Sequence, residues 1–171
     1  MKWLLRAGAV LLVLVALVFG VGAILPVAHS AQVSGEVRGT PDEVWEVVTG
    51  VEGFPSWRTD LDRATRLDRP SQLPSWREEG TSGVMTLEVT ESDPPRRMVT
   101  RIADEGLPFG GSWIYELSPS GGGTRVVLTE NGEIYNPAFR FMARFVFGYS
   151  GTLETYLAQL QSRMAGAGAA P

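Results

Sequence analysis

The chain opens on an unbroken apolar run and then changes to short alternating segments. Residues 7–25 read AGAVLLVLVALVFGVGAIL. As a helix rising ~1.5 Å per residue this run is roughly 28 Å long, close to the ~30 Å hydrocarbon core of a bilayer, so it predicts one membrane-crossing helix. Residues 32–39 alternate, with Val33, Gly35 and Val37 on one side and Ser34, Glu36 and Arg38 on the other, as a short strand does. Thr40-Pro41-Asp42-Glu43 is a helix start, because threonine can cap, proline suits the first helical position and Glu43 can reach back to the cap amide. Val44, Trp45, Val47 and Val48 supply its apolar face, Gly50 or Gly53 ends it, and Phe54-Pro55-Ser56-Trp57 predicts a second tight helical turn.

From residue 61 to residue 135 strand-like segments are separated by turn chemistry at 70–74, 80–83, 93–95, 106–111 and 120–123. Met85, Leu87 and Val89 alternate with Thr86, Glu88 and Thr90, and Trp113, Tyr115 and Leu117 alternate with Ile114 and Glu116. Strands with one apolar face predict an antiparallel sheet curved over a covering element. After Asn136-Pro137, a helix of about 27 residues would place Ala138, Met142, Phe145, Tyr149, Leu153, Tyr156 and Leu160 in one stripe, with Arg140, Arg144, Glu154 and Gln161 opposite. The expected organisation is an N-terminus at 1–6, an anchor at 7–25, a linker at 26–31, one α+β domain at 32–164 and a flexible tail at 165–171.

Charge orients this arrangement. Of the 15 basic residues only Lys2 and Arg6 precede the apolar run, and no charge follows until Glu36. The positive-inside rule therefore predicts a cytoplasmic N-terminus and a domain outside the cell membrane. A competing reading is a cleaved signal peptide and a secreted domain, since Ala28-His29-Ser30 before Ala31 has the small-residue pattern of a cleavage site. The apolar run exceeds the ~7 to 15 residues of such peptides, which favours a retained anchor. Beyond it, 13 arginines face 19 acidic residues, a net charge of −6, so no basic field for nucleic acid is expected. The absence of cysteine excludes disulfides, thiolate nucleophiles and cysteine metal sites.

The remaining chemistry is sparse. His29 is the only histidine and falls in the expected linker, so neither a histidine-based triad nor a histidine metal site is expected in the domain. Gly121-Gly122-Gly123 lacks the Gly-Lys-Ser/Thr and following helix of a phosphate loop and reads as a hairpin turn. Glu78 and Glu79 point to opposite faces of a strand, so at most one faces inward. Glu130 shares the parity of Val126 and Leu128 and is the single candidate for acid–base work, with a rim carboxylate as the plainer alternative. Arg101 has the parity opposite to Met98 and Ile102 and should face water. Trp57, Trp76, Met85, Phe109, Trp113 and Tyr115 from the sheet side, with Phe145 and Tyr149 from the helix, are the candidate ligand-binding residues; filling a core is their alternative role. Phe139, Phe141 and Phe147 lie off the buried stripe and need a cover, either a bilayer surface or the 106–111 loop.

The element order, together with Thr40-Pro41-Asp42-Glu43-Val44-Trp45, Phe54-Pro55-Ser56-Trp57, Trp113-Ile114-Tyr115-Glu116-Leu117 and the segment from Gly123 through Glu130, resembles the SRPBCC superfamily over residues 33–164. Its members include START lipid-transfer domains, birch-pollen-type allergens and polyketide cyclases. The resemblance implies a helix-grip α+β fold, a curved antiparallel sheet around a long C-terminal helix, with a cavity for an apolar or amphipathic small molecule or lipid. No cofactor or metal is implied. Two other functions stay open: a cyclase or dehydrase using Glu130 and a tyrosine as an acid–base pair, and a membrane-associated interaction module with a filled core.

Overall fold

A computed structural model describes residues 2–68 and 73–167. The predicted turn at 70–74 and the end of the tail therefore lie in part outside the described residues. The apolar run forms α1 (Lys2–Ile24), long and apolar enough to cross a bilayer. Strand β1 (Ala28–Val37) begins earlier than the alternation from residue 32 implies and takes in most of the stretch expected to be a linker.

The Thr40 motif performs as its chemistry predicts at the start of α2 (Pro41–Thr49). The Glu43 amide donates to Thr40 Oγ1 at 3.3 Å, and the Thr40 amide donates to Glu43 Oε2 at 2.7 Å. A 3₁₀ turn (Val51–Ser56) follows, burying Val51 and Phe54. Six further strands, β2 (Leu61–Leu67), β3 (Ser75–Gly80), β4 (Gly83–Asp93), β5 (Arg97–Ile102), β6 (Phe109–Ser120) and β7 (Gly123–Ile134), complete one antiparallel sheet in the order β1-β7-β6-β5-β4-β3-β2. Ser120 pairs with Gly123, the first residue of β7, so Gly121-Gly122 form the two-residue hairpin turn that the glycine run predicts.

The C-terminal region departs from one continuous helix. It comprises α3 (Pro137–Met142), a π-helical segment (Ala143–Phe147) and α4 (Gly151–Ala167). Gly148 adopts φ 76°, a left-handed conformation that stops the helix, and the Glu154 amide donates to the Ser150 carbonyl as α4 begins. Apolar spacing continues across the break because both pieces turn a face toward the sheet, which is why the stripe looks continuous in the sequence. Leu153, Tyr156, Leu157, Leu160 and Met164 of α4 pack with Val37, Val44, Val48, Leu117, Val126 and Leu128 in the main core. The α4 helix lies against β1 and β7, and the curved sheet grips it.

The second packing contact joins α1 to α3. Val18, Val21 and Gly22 are the covered positions of α1's last two turns, with Leu25 just beyond, at the i, i+3, i+4, i+7 spacing of one helix face. Gly22 is buried, and a Cβ there would overlap the Pro137 carbonyl. Arg140, also buried, donates from Nη1 to the Leu25 carbonyl at 2.7 Å, and the Ile134 amide donates to the Val27 carbonyl at 2.9 Å. Backbone groups freed at the end of α1 are thus satisfied by the domain.

Candidate functional site

Between sheet and C-terminal helices lies a cavity of about 420 Å³, within the size range of small-molecule sites. Its inner end is bounded by Val48, Phe54, Trp76, Thr100, Tyr115 and Tyr156, and its outer end by Met85, Phe109, Trp113, Phe139, Met142 and Phe147. Six of the eight candidate ligand-binding residues line it: Trp76, Met85, Phe109, Trp113, Tyr115 and Tyr149. Two do not. Trp57 packs edge-on against Tyr156, ring centroids 5.3 Å apart, and Phe54, outside the cavity. Phe145 is turned outward because the π-helical winding of residues 143–147 shifts its direction from the stripe an α-helix would have made.

The inner end holds charges that satisfy one another. Arg58 donates to Asp60 Oδ2 at 2.6 Å and to Glu78 Oε1 at 2.8 Å, and the Trp76 indole donates to the same Glu78 oxygen at 2.9 Å. The Arg58 guanidinium also sits over the rings of Phe54 and Tyr156. Burial opposes its charge, but the hydrogen bond to Asp60 and the field of Glu78 outweigh that, and its pKa is raised. Burial pushes Tyr115 up to about 12 and Tyr156 well above its ordinary value, so both are neutral hydroxyls, hydrogen-bonded to each other. Of the Glu78-Glu79 pair, only Glu78 is fully buried, as strand alternation requires, and Arg101 is exposed.

The outer end holds the polar pair that the sequence reading did not assemble. His29 lies on β1 inside the domain, not in a linker. Its side chain is 11% exposed and that of Glu130 21%, with His29 Nε2 and Glu130 Oε1 3.6 Å apart. The imidazole stacks on the Tyr149 ring at a centroid distance of 4.2 Å, and its Nδ1 is buried with no hydrogen-bond partner. Gly132 makes this approach possible, since a Cβ there would run into both the imidazole and the Glu130 carboxylate. A signal for His29 existed: it shares the odd parity of Ala31, Val33 and Val37, so one more step of the β1 alternation points it inward. Arg58 and Asp60 follow a turn without periodicity and carried no such signal.

Burial raises the Glu130 pKa, partly offset by a hydrogen bond from the Trp113 side chain, and burial lowers that of His29. The signs define a pH profile. Above the ordinary carboxylate range unfolded chains have released the Glu130 proton while folded ones still hold it, so stability declines as pH rises toward the folded pKa. Below the ordinary imidazole value of 6.5, unfolded chains protonate His29 before folded ones do, so stability also falls with acidification. Glu130→Gln is expected to melt a few degrees higher than the native chain at neutral pH, with the gain vanishing below the carboxylate range. Thermal unfolding across a pH series checks this, and a gain independent of pH would contradict it. No cluster of three or more histidine, cysteine or acidic side chains arranged to hold a metal ion occurs among the described residues.

A curved seven-stranded antiparallel sheet gripping a C-terminal helix over an apolar cavity defines a ligand-binding domain of the SRPBCC type. The chain belongs to the polyketide cyclase / dehydrase and lipid transport family, whose pattern matches residues 28–165. A comparison with curated proteins gives no match. Among solved structures it is similar to the di-domain ARO/CYC StfQ from the steffimycin biosynthetic pathway, at 12% identity and a TM-score of 0.67 over 84% of this chain and 53% of that one. The chain thus spans about half of that di-domain protein. It is similar also to the Zhui aromatase/cyclase from Streptomyces sp. R1128, at 14% identity and a TM-score of 0.66 over 81% of this chain and 94% of that one. A START superfamily protein from Mycobacterium smegmatis aligns at 18% identity and a TM-score of 0.64 over 82% and 98% of the two chains. At these identities the likeness shows the fold.

Proposed function

We propose that this protein is a membrane-tethered binder of an apolar or amphipathic small molecule or lipid, taken up from the outer leaflet beside which α1 holds the domain. One observation carries the reading: a wall of the cavity belongs to the segment docked on α1. Phe139, Met142, Ala143 and Phe147 line the cavity, and the α3 part of that segment packs on the last two turns of α1. With α1 crossing the bilayer, α3 lies level with the outer part of the span. The outward Phe139, Phe145, Val146 and Phe147 then meet lipid, which removes the cost of exposing such a patch to water. Lys2 and Arg6 before the apolar run orient the domain to the extracytoplasmic side.

The His29 and Glu130 pair supports a second reading, an enzyme that moves a proton at the outer end of the cavity. The tyrosine partner first expected for Glu130 is replaced there by Trp113, while Tyr149 contacts His29 through its ring face.

The test is gentle extraction of the full chain into lipid nanodiscs, followed by native mass spectrometry. About one apolar molecule per chain is expected, and Trp113→Ala should lower that occupancy roughly tenfold, given the area a buried indole contributes. Folded protein that repeatedly carries no ligand, with Trp113→Ala indistinguishable from native, overturns the reading.

A further inference from the structure

The polar groups of the cavity differ sharply in how far they are satisfied. At the inner end Arg58, the one arginine or lysine among the lining residues described, is held by Asp60 and Glu78, and the tyrosines bond to each other. The charges there already compensate one another, so a ligand's charged group meets no unpaired charge at that end. At the outer end the His29 Nδ1 is buried without a partner, and the 3.6 Å between Nε2 and Glu130 Oε1 is too long for a good hydrogen bond. Glu130 receives the Trp113 indole, which leaves most of a carboxylate's acceptor capacity unused. Buried polar groups left in this state are costly unless something bonds to them.

The sign of the charge selects what that something is. Glu130 and Glu133 both line the outer end, and Glu133 accepts from the Tyr135 hydroxyl at 2.6 Å, which does not neutralise it. Phosphate or carboxylate placed there would be buried against like charge without a cation to pair with.

We infer that His29 and Glu130 form the polar anchor of the cavity, and that its ligand is an apolar molecule bearing a hydroxyl or amino group rather than a carboxylate or phosphate. This rests on the reading of the cavity as an apolar binding site. A hydroxyl donates to the Glu130 carboxylate, which His29 Nε2 flanks at 3.6 Å, and an ammonium pairs with Glu130 directly. The apolar body then runs inward past Trp113 toward Trp76 and Tyr115.

The experiment uses the full chain in phosphatidylcholine nanodiscs and four diazirine-bearing probes of equal chain length: a fatty alcohol, a fatty amine, a fatty acid and the plain alkane. A mildly alkaline pH keeps the acid ionised. Labelling of cavity peptides by the alcohol and the amine is expected to exceed that by the acid about tenfold, the ratio set by one charge-assisted hydrogen bond. Glu130→Gln should narrow the gap between the acid and the alcohol severalfold, Glu133 remaining, and cut the amine's advantage. Equal labelling by all three polar probes, or an order that Glu130→Gln leaves unchanged, overturns the anchor while labelling by the alkane keeps the apolar site standing. Absence of cavity labelling by every probe, the alkane included, overturns both.

Discussion

Arg58→Met is expected to lose about 3–5 kcal/mol of folding stability, the usual cost of removing one member of a buried ion pair. The Arg58 and Glu78 side chains are only 13% and 5% exposed. With the guanidinium gone, Glu78 keeps the Trp76 indole as a donor, but its charge has no counter-ion within the cavity end. Asp60 is more accessible and stays hydrated, so the penalty falls on Glu78. The cation's place over the Phe54 and Tyr156 rings adds to the loss. Equilibrium denaturation followed by tryptophan fluorescence measures it. The double variant Arg58→Met, Glu78→Gln should recover much of the difference, because no charge is then stranded. A single variant that loses less than about 1 kcal/mol would mean that the pair is solvated and behaves as a surface bridge.

Gly22→Leu is the second large effect, and it acts at the join of the two helices. A side chain at Gly22 has nowhere to go except into the Pro137 backbone, so α1 and α3 must separate. Overpacking of this kind costs about 1–3 kcal/mol, which corresponds to a shift of the docked state of about 5- to 150-fold. Core residues on α2, α4 and the sheet are untouched, so the domain stays folded. Lipid occupancy in nanodiscs should fall roughly tenfold, and amides of residues 138–147 should exchange faster. Gly20→Leu is the matched control: it lies on the same helix with no atom within 4 Å of its Cβ position and should leave both readouts unchanged. Identical behaviour of the two variants would remove the coupling between α1 and the cavity wall.

Much of this architecture is legible in the sequence wherever a local rule and the tertiary environment agree. The Thr40 and Glu43 exchange is a short-range geometry that any helix start of this composition adopts, and it forms as read. Trp113, Tyr115 and Leu117 alternate because one face of β6 is wetted, and they turn inward together. Failures occur where two signals coincide. Apolar spacing through residues 138–160 is compatible with one helix, yet Gly148 supplies a stop and Ser150 a new start, and that pair of short-range cues wins over periodicity. Phe145 leaves the stripe because residues 143–147 wind as a π-helix. Distance from the apolar run alone puts His29 in a linker, whereas strand pairing with β7 decides its environment. The Arg58, Asp60 and Glu78 cluster depends on a loop approaching a strand twenty residues later, a contact without periodic trace.

The early start of β1 has a consequence for timing. His29, Ser30 and Ala31 are paired with Gly132, Asn131 and Glu130 of β7, the last complete strand of the sheet in chain order. A peptidase needs its substrate as a free extended strand, and here that strand is already occupied by its partner. Release of the domain at Ser30 would thus be a race between processing and folding, decided before β7 docks. A chain that lost the race to the peptidase would leave without His29, and its cavity would carry Glu130 with no imidazole beside it.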